Sequence, residues 1–169
     1  MQKTTPRLVL RPFEESDAEA MLRLMRNEQI AQTYMMPDLR DDARAGALFR
    51  RFLDLSHQPE RAVVGMFADG VLVGFMNDTR IEGGEIELGY VVDPAHQGKG
   101  YATEAVSEVI DFAWKILRLH RIESYVMPRN TRSLRVMEKL GFEKEGISRR
   151  CLEVNGVWED HVRFSLLNE

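Results

Sequence analysis

The sequence predicts an α+β domain built on a mixed sheet, and three observations point there. Residues 62–92 hold three short apolar runs, "AVVGMF", "VLVGFMN" and "EIELGYVV", separated by Asp69-Gly70 and Gly83-Gly84, the punctuation of an antiparallel meander. A strongly amphipathic stretch from Tyr101 to Leu117 then lies between "EIELGYVV" and "RIESYV" (Arg121 to Val126). Strand, helix, strand in that order makes a parallel pair with a right-handed crossover. Near the end, "EKEGISRRCLEV" and "VWEDHVRFSLL" flank Asn155-Gly156, the turn chemistry of a type I′ hairpin.

Each element has its own signal. "RLVLRPF" (Arg7 to Phe13) alternates like a half-buried strand and opens the domain. Ser16-Asp17-Ala18-Glu19 has the S-x-x-E form of a capping box, and Ala18, Met21, Leu22 and Met25 follow at helical spacing, so a first helix runs to about Asn27. "IAQTYMMPD" is irregular, apolar and rich in methionine; Met35 and Met36 either line a site or fill gaps in the core. A second helical region falls within Leu39 to Leu55. In the long amphipathic helix Ala102, Ala105, Val106, Val109, Ile110, Ala113, Ile116 and Leu117 share one face, which needs a sheet to cover it. A shorter helix, Thr131 to Leu140, ends at Gly141 in the C′ position. There are no internal repeats or linkers, and 169 residues suit a single domain spanning 1–169.

Bulk properties narrow the function. Hydrophobic residues at 44% and charged residues at 30% are ordinary for a soluble globular protein, and no apolar run approaches the roughly 18 residues of a membrane span. The N-terminus lacks the pattern of a signal peptide, its apolar part being broken by Arg11 and Pro12, so the cytoplasm is the expected compartment. A net charge of −4 gives no general attraction to nucleic acid. Cys151 is a lone cysteine, and it and the four dispersed histidines lack metal-ligand spacing, so no metal is expected.

The stretch "DPAHQGKGYATEA" (Asp93 to Ala105) sits between an apolar strand and a helix, the place for a phosphate-binding loop. It is not a Walker A loop, because Lys99 lies between the glycines and Tyr101 follows the second. Nor is it the dinucleotide fingerprint, which would need glycine where Thr103 stands. What remains is a tight loop whose backbone N–H groups, unobstructed at Gly98 and Gly100, face a helix N-terminus carrying about half a positive charge. That suits a pyrophosphate.

Gln97-Gly98-Lys99-Gly100-Tyr101-Ala102 resembles the Q/R-x-x-G-x-G/A signature of the GNAT superfamily of acetyl-CoA-dependent N-acetyltransferases. "RLVLRPFEESDAEA", "HRIESYVMPRNTRSLRVMEKLGFEKEG" and "VNGVWEDHVRFSLL" are similar to the RimJ/RimL branch, which contains ribosomal-protein N-terminal acetyltransferases. The resemblance covers nearly the whole chain and is weakest over Leu39 to Ala62. It implies a mixed, mostly antiparallel, seven-stranded twisted sheet flanked by about four helices, with a central parallel pair splayed to hold CoA. It further implies that backbone groups of Val91 and Val92 pair with the pantetheine arm and that Gln97, Gly98, Lys99, Gly100, Tyr101 and Ala102 hold the pyrophosphate. Lys99 adds charge near the phosphates or is simply solvated.

Acetyl transfer to an amine needs a base, a polarised carbonyl and a way to accommodate the departing thiolate. Glu85 and Glu87 alternate with Ile86, Leu88 and Tyr90 and so share one strand face; pattern alone reads that face as solvated. The resemblance assigns Glu87, in "E-L-G-Y", as the catalytic base, with Glu85 a weaker neighbour. Many GNAT enzymes place a leaving-group tyrosine where this chain has Met137, which cannot donate a proton. Ser133, in "N-T-R-S", resembles the serine assigned that role in the RimL branch and is expected to contact CoA; it also fits a plain first-turn helix residue. Asn130 is a helix N-cap, a CoA contact, or both. The acidic residue that RimL-type chains carry before the last turn falls here on Leu152, with Glu153 one place late and on the opposite face, so no role passes to Glu153. Acceptor selection is expected at Tyr34, Met35 and the residues to Pro37, and around Val157 and Trp158, with core packing the plainer role for Trp158. Cys151 has no base paired with it and is no nucleophile.

The expected function is therefore direct acetyl transfer from acetyl-CoA to a primary amine, a peptide N-terminus being one acceptor. Polyamines, aminoglycosides or other small amines, or a non-catalytic acyl-CoA sensor, stay open. The expected partners are acetyl-CoA and the acceptor, with a homodimer left open and neither a membrane nor direct nucleic-acid contact expected.

Overall fold

The structure is a computed structural model that describes residues 1–34, 39–154 and 156–168. The expected positions Met35, Met36 and Pro37 lie outside the described residues, as does Asn155 of the last turn. Strands β1 (Lys3–Thr4), β2 (Val9–Arg11), β3 (Val64–Ala68), β4 (Val71–Glu82), β5 (Glu85–Val92), β6 (Arg121–Val126), β7 (Glu143–Val154) and β8 (Val157–Leu167) form one sheet. Its order is β1-β2-β3-β4-β5-β6-β8-β7. Every neighbouring pair is antiparallel except β5 and β6. The eighth strand, one more than expected, is the two-residue β1, which pairs Lys3 with Leu10 and Thr4 with Val9 and is too short to carry a sequence signal.

The helices are α1 (Ala18–Met25), α2 (Glu28–Ala31), α3 (Asp42–Ser56), α4 (Tyr101–Lys115) and α5 (Thr131–Lys139). The extra one, α2, is a single turn whose first N–H groups, at Gln29 and Ile30, are capped by the Asn27 side chain. The capping box expected at Ser16 is replaced. Asp17, nearly buried, accepts from the Glu14 N–H at 2.8 Å and from both terminal nitrogens of Arg11, because a buried carboxylate needs a charged partner more than a helix needs that particular cap. The long helix stops at Lys115, two residues earlier than expected. Arg118 turns left-handed (φ 57°) and the Leu119 N–H donates to the Ala113 carbonyl, which leaves Ile116 65% exposed instead of on the buried face.

The sheet divides the interior into two cores. On one side Ile86, Leu88, Ile122, Val162 and Phe164 pack with Ala105, Val106, Val109 and Ala113 of α4 and with Met137 of α5. On the other, Phe75 and Val91 pack with Met21, Leu24, Phe49 and Phe52 of α1 and α3. Alternation along β5 therefore sends Glu85, Glu87 and Gly89 toward the α1 and α3 side. The β4–β5 register shifts between Asp78 and Arg80, opposite Leu88 and Glu87, so a bulge bends β4 beside Glu87.

Candidate active site

The parallel seam between β5 and β6 is short. Only Glu85, Ile86 and Glu87 pair with Arg121, Ile122 and Glu123, although β5 runs on to Val92 and β6 to Val126. Just past the last pair, the Ser124 hydroxyl donates to the Leu88 carbonyl at 3.1 Å, a side chain reaching where a backbone bond would otherwise lie. Beyond it a cavity of about 260 Å³ opens, bordered by Glu87, Gly89 and Tyr90 of β5, Tyr125 of β6, Asn130 and Ser133 around the start of α5, and Tyr34 after α2. The Asp93 N–H donates to the Val73 carbonyl at 2.8 Å. In an antiparallel ladder that phase turns the backbone groups of Val91 toward β4 and those of Tyr90 and Val92 toward the gap. The Val92 carbonyl among them is met by the Gln97 side chain, and an extended chain carrying amides can partner the others.

The glycine loop joins β5 to α4. Gly98 and Gly100 are left-handed (φ 77° and 83°), and nothing stands within 4 Å of where a Gly98 Cβ would lie, so the backbone there is open to a ligand. Gln97 is a strut: its Nε2 donates to the Val92 carbonyl at 3.0 Å and its Oε1 accepts from Arg132 of α5 at 2.5 Å. A second brace comes from the N-terminus. Thr5 and Arg7 donate to Glu104 in the first turn of α4, Arg7 also reaches the Lys99 carbonyl, and its guanidinium lies 5.4 Å from the Tyr101 ring centroid. Burial pushes the Glu104 carboxyl up, but the bonds from Thr5 and Arg7 outweigh it and hold it below the usual carboxylate range. Tyr101 and Ala102 are half-buried at the helix start, while Lys99 is exposed and makes no ion pair among the described residues. The open loop, the helix N-terminus and the gap together fit a pyrophosphate with an extended amide arm.

Glu87, Tyr34, Tyr90, Asn130 and Ser133 border the cavity, whereas Met137 and His161 do not. Glu87 borders it half-buried, and no ion pair holds its carboxylate among the described residues. Tyr34 stacks edge-on to Phe75 with ring centroids 5.8 Å apart and donates to the Asn77 side chain; burial raises its phenol pKa. Asn130 caps α5, its Oδ1 accepting from the Ser133 N–H at 3.2 Å. Ser133 is 8% exposed, and its hydroxyl lies 2.8 Å from that of Tyr90. Met137 is buried in the α4 and α5 core. His161, 5% exposed on β8, lies 6.3 Å from the Tyr125 ring, and its Nε2 has no hydrogen-bond partner among the described residues.

Other expected residues lie apart. Glu85 is at the far end of β5, 3.8 Å from His120 and 4.0 Å from Arg121, and does not border the cavity. Trp158 is 52% exposed near the tip of the last hairpin beside Arg150, so it neither packs in the core nor borders the cavity; Val157 next to it is exposed as well, and no helix among the described residues covers that strand end. Glu153 pairs across from Trp158 in the same region. Cys151 is exposed. Sequence reasoning missed Arg7, Glu104 and Arg132, whose contacts span 92, 97 and 35 residues and leave no local pattern. It passed over Tyr90 as one of the apolar positions of its strand, although a buried phenol must find a polar partner.

Comparison with known proteins agrees with this architecture. Residues 7–143 match the acetyltransferase (GNAT) domain family. The probable N-acetyltransferase YjcK of Bacillus subtilis is 39% identical over 170 residues, covering 95% of this chain and 94% of that protein. The ribosomal-protein-S5-alanine acetyltransferase of Vibrio fischeri superposes with a TM-score of 0.84 at 28% identity, covering 100% of this chain and 97% of the other. RimJ of Mycobacterium smegmatis, solved with CoA-disulfide, superposes with a TM-score of 0.80 at 28% identity, over 95% of this chain and 81% of its own. With a splayed parallel seam, a glycine loop at the head of α4 and this match over most of its length, the chain belongs to the GNAT family of acetyl-CoA-dependent N-acetyltransferases.

Proposed function

We propose that the acceptor is the α-amine of a peptide or protein N-terminus and that Glu87 takes its proton, directly or through a water. The observation that carries this is a carboxylate on the cavity wall that no described residue neutralises. An α-amine has a pKa of about 7.7–8.0 against about 10.4 for a lysine-type amine, so a single carboxylate suffices near neutral pH. The rest of the wall argues against a polycation. Arg51 stands on the cavity lining with the apolar Leu48, Phe52, Leu55 and Val63, and the other acidic wall residue, Asp78, is already paired with Arg61. One positive group beside a modest apolar side chain fits that wall better than a chain of ammonium groups. A structural neighbour named as a ribosomal-protein-S5-alanine acetyltransferase supports a protein acceptor.

Gln97 to Ala102 and the gap-facing backbone groups of Tyr90 and Val92 hold acetyl-CoA in this scheme, Val91 drops out of the expected pair because its backbone groups are turned to β4, and Ser133 meets the sulfur. Tyr34, on the cavity wall, contacts the acceptor. Thiol release from acetyl-CoA, measured across N-terminal peptides, polyamines and aminoglycosides, tests the assignment. Turnover is expected with peptides that begin with a small residue. Turnover confined to polyamines or aminoglycosides would overturn the peptide acceptor.

A further inference from the structure

Tyr90 and Ser133 face each other across the opening, one on β5 past its last residue paired with β6 and the other in the first turn of α5. Their oxygens are 2.8 Å apart, and both side chains border the cavity. Two hydroxyls carry two hydrogens, and their mutual bond uses one. Whichever group donates, a single hydrogen remains to point elsewhere, and neither hydroxyl has another side-chain partner among the described residues. Met137 in the same helix is a thioether and has no hydrogen to give.

We infer that Tyr90 and Ser133 form one donor unit, whose free hydrogen is directed at the sulfur of the CoA arm and stabilises it as a thiolate. The inference rests on the acetyltransferase assignment above. As the new N–C bond forms and the C–S bond breaks, the electron pair passes to sulfur. The unit hydrogen-bonds that sulfur without surrendering its proton. The amine proton leaves through Glu87 to water, and the released thiolate is neutralised by solvent, so nothing remains to be reset on the unit. Burial pushes the Tyr90 phenol up to about 12, against a smaller lowering by its bond to Ser133, so the phenol keeps its hydrogen throughout the neutral range. Tyr90 thus does from β5 what Met137 cannot do from α5.

The test reads the thiol itself. In a Cys151→Ser background the added CoA carries the sole thiol, and its ionisation in the complex is followed by thiolate ultraviolet absorbance across pH. The bound thiol should ionise at lower pH than free CoA. Tyr90→Phe and Ser133→Ala should each weaken thiolate binding about tenfold, the usual effect of losing a bond to a charged group. The double variant should go no further than either single one. Ser133→Ala keeps the Asn130 cap, which uses the backbone N–H. With a working acceptor, kcat should fall by a similar factor at unchanged KM for acetyl-CoA. A bound thiol that titrates alike in the parent and in Tyr90→Phe, or single effects that add in the double variant, overturns the unit even if the parent acetylates amines. A parent that depresses the bound thiol, with the variants behaving as expected, but acetylates no amine would support the unit and overturn the acetyltransferase assignment instead.

Discussion

A Cβ at Gly89 would lie 3.0 Å from the Tyr34 hydroxyl and 3.1 Å from Asn77 Oδ1, so this strand position is glycine because a tyrosine from the other layer rests on it. Gly89→Ala should push the Tyr34 ring outward by a few tenths of an ångström. The expected outcome is an acceptor KM raised several-fold with the KM for acetyl-CoA unchanged, read in steady-state kinetics. Two residues away, Glu87→Gln removes the proposed base while preserving shape. It should lower kcat by about 10²- to 10⁴-fold, the usual contribution of a positioned base, and leave CoA affinity intact by calorimetry. Glu87 was singled out by the family resemblance alone, against a strand pattern that reads its face as solvated, and it does border the cavity. Glu85 has the same period, yet its partners are His120 and Arg121 at the opposite end of the strand, and a face says nothing about distance along it.

Among the elements, the glycine loop was readable because its requirement is local: left-handed backbone and no side chain, directly before a helix. Its supports were not. Arg7, Glu104, Gln97 and Arg132 tie the N-terminal segment, α4, β5 and α5 together through side chains whose partners are mostly far off in sequence. Gly100→Ala tests the local part. A left-handed alanine costs about 1–2 kcal/mol, and its Cβ would stand 3.2 Å from Arg7 Nη2, so CoA binding should weaken roughly tenfold in a titration. The last hairpin shows the opposite balance. Its strands were plain from alternation and the Asn-Gly turn, but Trp158 lies exposed, because register at an exposed hairpin end is set by pairing and not by burial.

For the whole molecule, burial of charge sets the response to pH. His161 is held below its ordinary pKa, first by burial and against the opposing pull of Glu159, Glu87 and Asp160. A base with a depressed folded pKa binds fewer protons folded than unfolded. Stability should therefore fall as pH drops below about 6.5 and level off once the folded pKa is passed. Denaturant melts of the parent and His161→Gln across pH 5 to 8 should show a shallower slope in the variant. Below that window Glu104 and Glu145 act in the same direction. Both carboxyls are held low, Glu145 chiefly by its bonds to Arg121 and Ser165, and the stability they confer disappears as they are protonated. The two-layer arrangement behind this was legible from the amphipathic helix and the strand–helix–strand order. The depth of His161 was not, since a histidine on an alternating strand gives no sign of which face the helices leave open.

The Ser124 hydroxyl on the Leu88 carbonyl gives the opening a fixed apex, like the stop at the end of a zipper. A ligand entering there widens nothing and breaks no strand pairing, so its arrival has no slow conformational step to wait for. CoA association followed by stopped-flow fluorescence should show one phase, with a rate that rises linearly with concentration and does not saturate. Ser124→Ala removes the stop. The seam can then fray toward Glu87 and Glu123, and a second, concentration-independent phase should appear.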